Sequence, residues 1–299
     1  MMTLEEQQEA PEEAKSAGPI IMAGRAAAKQ IRLKCAEEIR ALQARHPILP
    51  GLAVVRIGDD PASLNYAERI TQSFGNAGLK VTIVALPDNA SRSLLQAELG
   101  RLNVLPEIAG VIVQMPLPIH IGLDAVIDVL DPHKDVDGIH PVNVGRLALD
   151  LDAFVPATPA GGIAMLDYYG IPIEGKRALV IGRSSVVGKP LAQLLLARNA
   201  TVTIAHSRSR DLAELVAEAE IVASAVGKPH FITGDMIREG AAVLDFGAST
   251  VDGQMTGDID YDTALDRVSA ITPVPGGTGP VTSAMLLQNT IKAIKRYLA

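Results

Sequence analysis

The chain has 299 residues, room for two domains, and 48% of them are hydrophobic, enough for a sizeable core. A net charge of −7, with 3% aromatics and no tryptophan, excludes a basic nucleic-acid face or a stacking platform for single strands. The single cysteine, Cys35, excludes an intrachain disulfide framework and a cysteine-rich metal centre, and no apolar run approaches the ~18 residues of a membrane span.

Residues 1–19 are rich in Glu, Gln, Ala and Pro and lack an apolar core. They read as a disordered tail, neither a secretory signal nor an Arg-rich transit peptide, so a cytoplasmic location is expected. Helical spacing runs over 22–45, with Ile31, Cys35, Ile39 and Leu42 on one face. A strand follows over 52–57, a turn at Gly58-Asp59-Asp60-Pro61, and a helix over 62–76. Strands over 81–86 and 110–114 flank a helix over 91–103, and a short helix covers 123–130. Residues 131–143 are polar and punctuated by Gly and Pro, so they read as a loop that either links or forms a site. A helix from Thr158 through Tyr169 bridges into a second unit, whose strands begin near Ala178, Thr201, Ile221, Ala242 and Val268. The Pro/Gly-dense stretch 272–280 cannot be a central strand or a helix, and a last helix fills 281–298. Alternating strands and helices predict a two-domain α/β protein with a cleft between the domains. No metal site is expected, because the six histidines are scattered and none forms a His-x-x-x-His pair.

The stretch 177–190 carries the most information. An apolar strand ends at Gly182, and Arg183-Ser184-Ser185-Val186-Val187-Gly188 leads into a Leu/Ala-rich helix. A strand, a glycine-bounded turn and a helix N-terminus suit a pyrophosphate, with Gly182 and Gly188 allowing close backbone approach. An ordinary βα turn would show the same pattern. The next strand ends in His206-Ser207-Arg208-Ser209, where an NAD site would carry an acid. A hydroxyl and a fixed cation there, with Arg183 in the first turn, favour the 2′-phosphate of NADP.

In the first half, three polar groups follow strand C-termini: Ser63 to Tyr66, Gln114, and Lys134-Asp135-Val136-Asp137-Gly138. Singly, each has an ordinary structural reading: a surface tyrosine, a strand cap, loop acceptors. On a doubly wound sheet they would converge on one cleft.

Seven collinear segments then carry a resemblance. They are Pro61-Ala62-Ser63 with Tyr66, residues 113–118, 134–138, 156–159, 180–190, 225–229 and 272–280. Together they resemble the methylenetetrahydrofolate dehydrogenase/cyclohydrolase family from about residue 20 onward. The resemblance implies a folate-binding catalytic domain over 20–158 plus 281–299, and a Rossmann-like NADP-binding domain over 159–280. It implies oxidation of 5,10-methylenetetrahydrofolate with NADP⁺ to the methenyl form, then hydrolysis to 10-formyltetrahydrofolate. By that likeness Tyr66 packs on the aminobenzoate ring, Asp137 holds the pterin and Gln114 acts at the one-carbon bridge. Pro275, Gly276 and Gly277 would line the folate, with Gly279 and Thr282 nearer the nicotinamide. Gly182, Arg183, Ser184, Ser185, Gly188, Ser207 and Arg208 match the cofactor side, and a homodimer is implied.

One departure matters. The family motif continues from the tyrosine as Tyr-x-x-x-Lys, and this chain has Ile70 at the lysine position. Positions i and i+4 share a helix face, so the family lysine would stand beside Tyr66 over the one-carbon unit. Isoleucine cannot move a proton. Arg69 stays protonated and can hold charge without acting as a base. The expectation is a dehydrogenase whose cyclohydrolase step is weakened or lost. The alternatives are a fully bifunctional enzyme and a non-catalytic folate- or NADP-binding member.

Overall fold

The computed structural model describes residues 18–299. The expected tail falls, over 1–17, outside the described residues. Two all-parallel sheets are each wrapped by helices. In chain order the elements are β1 (Ile20–Ile21), α1 (Gly24–Gln43), β2 (Gly51–Ile57), α2 (Pro61–Asn76), β3 (Val81–Leu86), α3 (Arg92–Val104), β4 (Ile108–Val113), α4 (Asp124–Ile127) and α5 (Pro141–Ala148). Then follow α6 (Ala157–Tyr168), β5 (Arg177–Ile181), α7 (Gly188–Ala197), β6 (Thr201–Ala205), α8 (Leu212–Glu218), β7 (Ile221–Ser224) and β8 (Ala242–Asp245). A hairpin of β9 (Ser249–Val251) and β10 (Gln254–Thr256), then α9 (Tyr261–Leu265), β11 (Ala270–Ile271) and α10 (Thr278–Leu298), complete the chain.

The first sheet has the order β3-β2-β4. Its central strand β2 is buried along Gly51 to Val55, as a parallel strand covered on both faces should be. Helix α2 begins where the sequence signals it. Asp60 is the N-cap, its carboxylate accepting from Ser63 N at 2.9 Å, and Pro61 sits in the first turn. The second sheet has the order β1-β11-β8-β7-β5-β6. The chain leaves β5 for β6 on one side and returns to β7 on the other. That reversal opens a crevice at the C-terminal end of β5, the place where open α/β sheets take ligands.

Helices α1 and α10 belong to both halves. Ala27 and Ala28 of α1 pack with Val281 and Ala284 of α10 in the core of the second sheet, whereas Cys35 and Ile39 pack with Leu287 and Ile291 under the first. Each helix therefore has two apolar faces along its length and ties the sheets together.

Four features differ from the sequence expectations. Ile20–Ile21, grouped above with the first domain, pairs with β11 in the second sheet, Ile20 N donating to Ser269 O at 2.8 Å. Two residues are too few for periodicity to register. Helix α5 emerges from a stretch read as loop at 131–143, because Pro141 at its start needs no N–H partner and His140 caps it, accepting from Val142 N. The β9–β10 hairpin turns on Asp252-Gly253, with φ of 49° and 79°. Helix α10 starts at Thr278 rather than 281, since Pro280 falls in the first turn where a missing N–H is harmless.

Candidate active site

The loop between α4 and α5 is built around two buried groups. Lys134 Nζ donates to the carbonyls of Leu102 and Leu105 at 3.0 and 2.9 Å, closing the end of α3. Asp135 accepts from Ile139 N, His140 N and Asn143 Nδ2 at 3.2, 2.8 and 2.9 Å. Asn289 of α10 donates to Val136 O and Val155 O, both at 2.8 Å. Gly138, at φ 67°, leaves no room for a side chain, because a Cβ would lie 2.5 Å from Phe154 O. These contacts hold the backbone on both sides of Asp137 and present its carboxylate to a cleft.

That cleft has a volume of about 310 Å³ and lies between the two sheets. Tyr66, Gln114, Asp137 and Thr282 all line it, so the three first-half groups do converge. Val186 and Val187, from the turn after β5, form the opposite wall. Asp60, Met115 and the Pro156–Thr158 turn complete the lining; sequence reasoning had not assigned them, although the motif segments contain most of them.

Gln114 is buried. Its Nε2 donates to Ser63 O at 3.1 Å, but its Oε1 has no partner among the described residues. The bond to a carbonyl fixes which end of the amide is which. A buried, unpaired acceptor at the wall of a cleft is an open seat for a ligand donor. Among the described residues no hydrogen-bond donor helps the charged form of Asp137. Burial first, then the charge of Asp135, push its carboxyl up to about 7. Tyr66 is pushed up to about 12, by burial and then by Asp137, with Arg69 opposing. It remains a neutral phenol at physiological pH, able to stack or donate but not to act as a base.

Ile70 does not line this cleft. It is 0% exposed and packs with Leu52, Val54, Phe74 and Leu286, and Tyr66 rests on the same cluster. One helix face thus carries a cleft residue and a core residue one turn apart.

A second cavity, about 290 Å³, opens at the crevice after β5. Gly182, Arg183 and Ser207 line it, together with His206, Ala225, Val226, Lys228 and Phe231. Lys228 and Phe231 went unassigned in sequence, although Gly227-Lys228-Pro229 directly after a strand was the available signal. Gly188 starts α7 so close to Gly182 that a Cβ would sit 2.1 Å from Gly182 O. This is the close backbone approach a pyrophosphate turn requires. Ser184 Oγ accepts from Val187 N and Gly188 N at 3.1 and 3.3 Å, so it caps the helix whose end would face the ligand. Ser185 is exposed in the same turn, and Arg208 is exposed beside the cavity. Arg183 and Arg208 form no ion pair among the described residues. Free guanidinium groups beside a glycine cradle fit a phosphorylated dinucleotide.

Pro275, Gly276 and Gly277 form the turn into α10 and do not line the first cavity. Gly276 O accepts from Gly24 N at 2.8 Å, and open space surrounds the positions a Cβ would take at Gly276 and Gly279.

Two family models match the chain. Residues 22–137 match the tetrahydrofolate dehydrogenase/cyclohydrolase catalytic domain, and residues 156–298 match the NAD(P)-binding domain of the same family. The chain belongs to the tetrahydrofolate dehydrogenase/cyclohydrolase family. It is 48% identical to the bifunctional protein FolD of Herpetosiphon aurantiacus over 275 residues, covering 92% of this chain and 96% of that one. Its fold matches the crystal structure of the bifunctional FolD methylenetetrahydrofolate dehydrogenase/cyclohydrolase of Campylobacter jejuni. The TM-score is 0.90 at 38% identity, covering 92% of this chain and 98% of the other. The Trypanosoma brucei enzyme, solved with NADP cofactor and an inhibitor, matches at TM-score 0.90 and 37% identity, over 95% and 99% of the two chains. The first cavity is lined from both matched segments, and the second lies within the segment that matches the NAD(P)-binding domain.

Proposed function

We propose that the chain is an NADP-dependent 5,10-methylenetetrahydrofolate dehydrogenase in which the methenyltetrahydrofolate cyclohydrolase step is weakened or lost. One observation carries the reading. The cleft between the sheets offers Tyr66, Gln114 and Asp137 to a substrate, while the residue at the family's lysine position, Ile70, is sealed in the core. Hydride transfer from the methylene carbon to the nicotinamide needs alignment at ~3–3.5 Å and little water, and no proton donor. The apolar walls from Ile112, Val113, Met115, Val186 and Val187 suit that step. Addition of water to the methenyl carbon and opening of the ring both need proton movement, and a missing acid–base group lowers such a step by ~10²–10⁴. On this reading Asp137 and Gln114 grip the pterin and the one-carbon bridge, and Tyr66 packs on the aminobenzoate ring. Pro275, Gly276 and Gly277 border the folate when it is bound, and Gly279 lies nearer the nicotinamide. Arg183, Ser207 and Arg208 select the 2′-phosphate, with Gly182, Ser184, Ser185 and Gly188 shaping the pyrophosphate turn.

A specific observation favours the fully bifunctional alternative: Asp137, at about 7, can exchange a proton at neutral pH. One assay separates the two. Purified protein receives methylenetetrahydrofolate and NADP⁺, and NADPH and methenyl absorbance are followed together. NADPH with persistent methenyl supports the dehydrogenase. Methenyl that decays faster than in a protein-free control overturns the loss of the second step. Binding without turnover points to a non-catalytic member.

The working unit is a homodimer paired through the nucleotide-binding half, a reading supported by exposed Leu196, Ile204, Val251 and Met255 there. Sedimentation velocity tests it. The location is cytoplasmic, in keeping with Cys35 as a free thiol, and no helix among the described residues is long and apolar enough to cross a membrane. Fractionation of cells with an antibody checks that placement.

A further inference from the structure

Two carboxylates on the second sheet take no part in the reading above. Asp245 ends β8 and Asp258 follows β10; they are 2% and 0% exposed. Neither forms an ion pair among the described residues. Each instead accepts three hydrogen bonds. Asp258 Oδ2 accepts from Ser224 Oγ at 2.9 Å and Val226 N at 2.7 Å, and its Oδ1 accepts from Lys228 N at 2.7 Å. Asp245 Oδ1 accepts from Gly247 N and Asp258 N at 2.7 and 3.0 Å, and its Oδ2 accepts from Ile259 N at 2.9 Å. The arrangement is serial: Asp245 holds the backbone of Asp258, and the carboxylate of Asp258 holds residues 224–228.

Two glycines make room for it. A Cβ on Gly257 would lie 2.0 Å from Asp245 Oδ2, and one on Gly247 would lie 2.6 Å from Asp258 Oδ1. Burying two carboxylates near each other is unfavourable unless both are well hydrogen-bonded. Charge-assisted bonds to backbone N–H groups are stronger and more directional than neutral ones. Such a pair makes sense where backbone must be held in one place.

The backbone held is functional on both sides. Ala225, Val226 and Lys228 wall the nucleotide cavity, and Ala225 O lies 2.6 Å from where a Cβ of Gly182 would be. On the other side, Asp245 N donates to Thr272 Oγ1 at 2.7 Å and Asp245 O accepts from Thr278 Oγ1 at 3.3 Å. Thr278 begins α10, whose Thr282 lines the folate cleft. The ring of Phe246 fills the space above Gly162 of α6, where a Cβ would meet Cζ at 2.5 Å, and the first turn of α6 also lines that cleft.

We infer that Asp258, seated by Asp245, is a positioning residue that sets one wall of the nucleotide cavity against the two helices lining the folate cleft. This goes beyond the residues that touch ligand, and it rests on the reading that this cavity takes NADP. Cofactor affinity then depends on a carboxylate that touches neither cofactor nor substrate.

The test is direct titration of NADPH, by its fluorescence, into wild type, Asp258→Asn and Ser224→Ala, with steady-state KM values alongside. Asparagine places an NH₂ where three donors converge, so at least one bond is lost and the loop shifts. The expected result for Asp258→Asn is a rise of about tenfold in the Kd for NADPH and the KM for NADP⁺, the size expected for one charged hydrogen bond. Its KM for methylenetetrahydrofolate should stay within about twofold of wild type. Ser224→Ala, which removes one neutral donor, should raise the Kd by about threefold. Glu220→Gln is the control for general destabilisation. It breaks the Lys176 pair at the far end of β7, so it should lower the melting temperature and leave the Kd unchanged. A folded Asp258→Asn protein with wild-type Kd overturns the inference. If that variant does not fold, an unchanged Kd in Ser224→Ala overturns it instead. Wild type that fails to bind NADPH removes the cofactor reading and the inference together, whereas tight wild-type binding with indifferent variants removes the inference alone.

Discussion

Replacing Ile70 with lysine should restore methenyl hydrolysis and destabilise the protein, and both effects can be sized. Ile70 is 0% exposed among Leu52, Val54, Phe74 and Leu286. Withdrawing an isoleucine from full burial costs about 1.5–3 kcal/mol before any charge is considered. At ~2–4 °C per kcal/mol for a chain of this size, the melting temperature should fall by roughly 3–12 °C. The new ammonium must either reach past Tyr66 to the cleft or sit in apolar surroundings. Both lower its pKa in the folded state below the ~10.4 of an unfolded chain. The unfolded form then binds more protons between those two values, so stability rises with pH there. The deficit against wild type should therefore shrink as pH is raised from 7 toward 10. In activity, a lysine over the one-carbon unit should speed methenyl decay by ~10²–10⁴ relative to wild type. Ile70→Met, which keeps the oil and adds no proton, should leave that rate unchanged. The assay is methenyl absorbance against an enzyme-free baseline, with thermal melts at pH 7 and pH 9.5. Brisk hydrolysis by the unmodified chain refutes the division of labour. A folded Ile70→Lys protein with no gain refutes the idea that a lysine from position 70 can reach past Tyr66 into the cleft.

Three other outcomes follow from the site. Asp137 has its carboxyl raised to about 7, by burial and then by Asp135, so kcat/KM for the folate should climb as pH passes through about 7. A raised carboxyl means the fold favours the protonated form, and stability from this site is lost as pH rises through about 7. Asp137→Asn should flatten the climb and gain thermal stability at pH 8 relative to its effect at pH 5. Gln114→Met removes a buried acceptor that has no partner, at the loss of one hydrogen bond to Ser63 O. An orphaned polar group costs ~1–3 kcal/mol and a typical bond returns about 1, so melts should show no loss, while turnover drops by at least about tenfold. Gly188→Ala places a carbon 2.1 Å from Gly182 O, which must push the strand–helix turn apart. Melts should register ~1–3 kcal/mol of destabilisation, and titration should show weaker NADPH binding.

Much of this architecture was legible in residues alone, for identifiable reasons. Strands β2, β4, β5, β7 and β8 are buried along most of their length and read as runs rich in Val, Ile, Leu and Ala. Asp60 and Ser91 are side-chain N-caps, and both stood in sequence next to the start of a helical pattern. The convergence of Tyr66, Gln114 and Asp137 followed largely from topology: Tyr66 and Gln114 come after the C-termini of β2 and β4, and Asp137 follows Asp135, which bridges in parallel to Val111 of β4. Elements defined by partners left no such trace. Strand β1 exists only because Ser269 and Ile271 accept its N–H groups, and α5 only because a capped proline start meets a buried Asn143.

Depth was the other thing periodicity could not supply. A spacing of four puts Tyr66 and Ile70 on one face of α2, and that much held. Whether the face looks into a cleft or into a core depends on what packs against each turn. Here the cleft stops at Tyr66, and Ile70 lies in a buried cluster that also takes in Leu286 from the far end of the chain. A lysine at position 70 would therefore need more than a change of one side chain. Ile70 is enclosed in a cluster of apolar side chains from α10 and the first sheet, so a lysine there must unpack that cluster. A second-site variant such as Leu286→Ala should raise hydrolysis in the Ile70→Lys background while doing nothing in wild type, and equal effects in both backgrounds would count against this coupling.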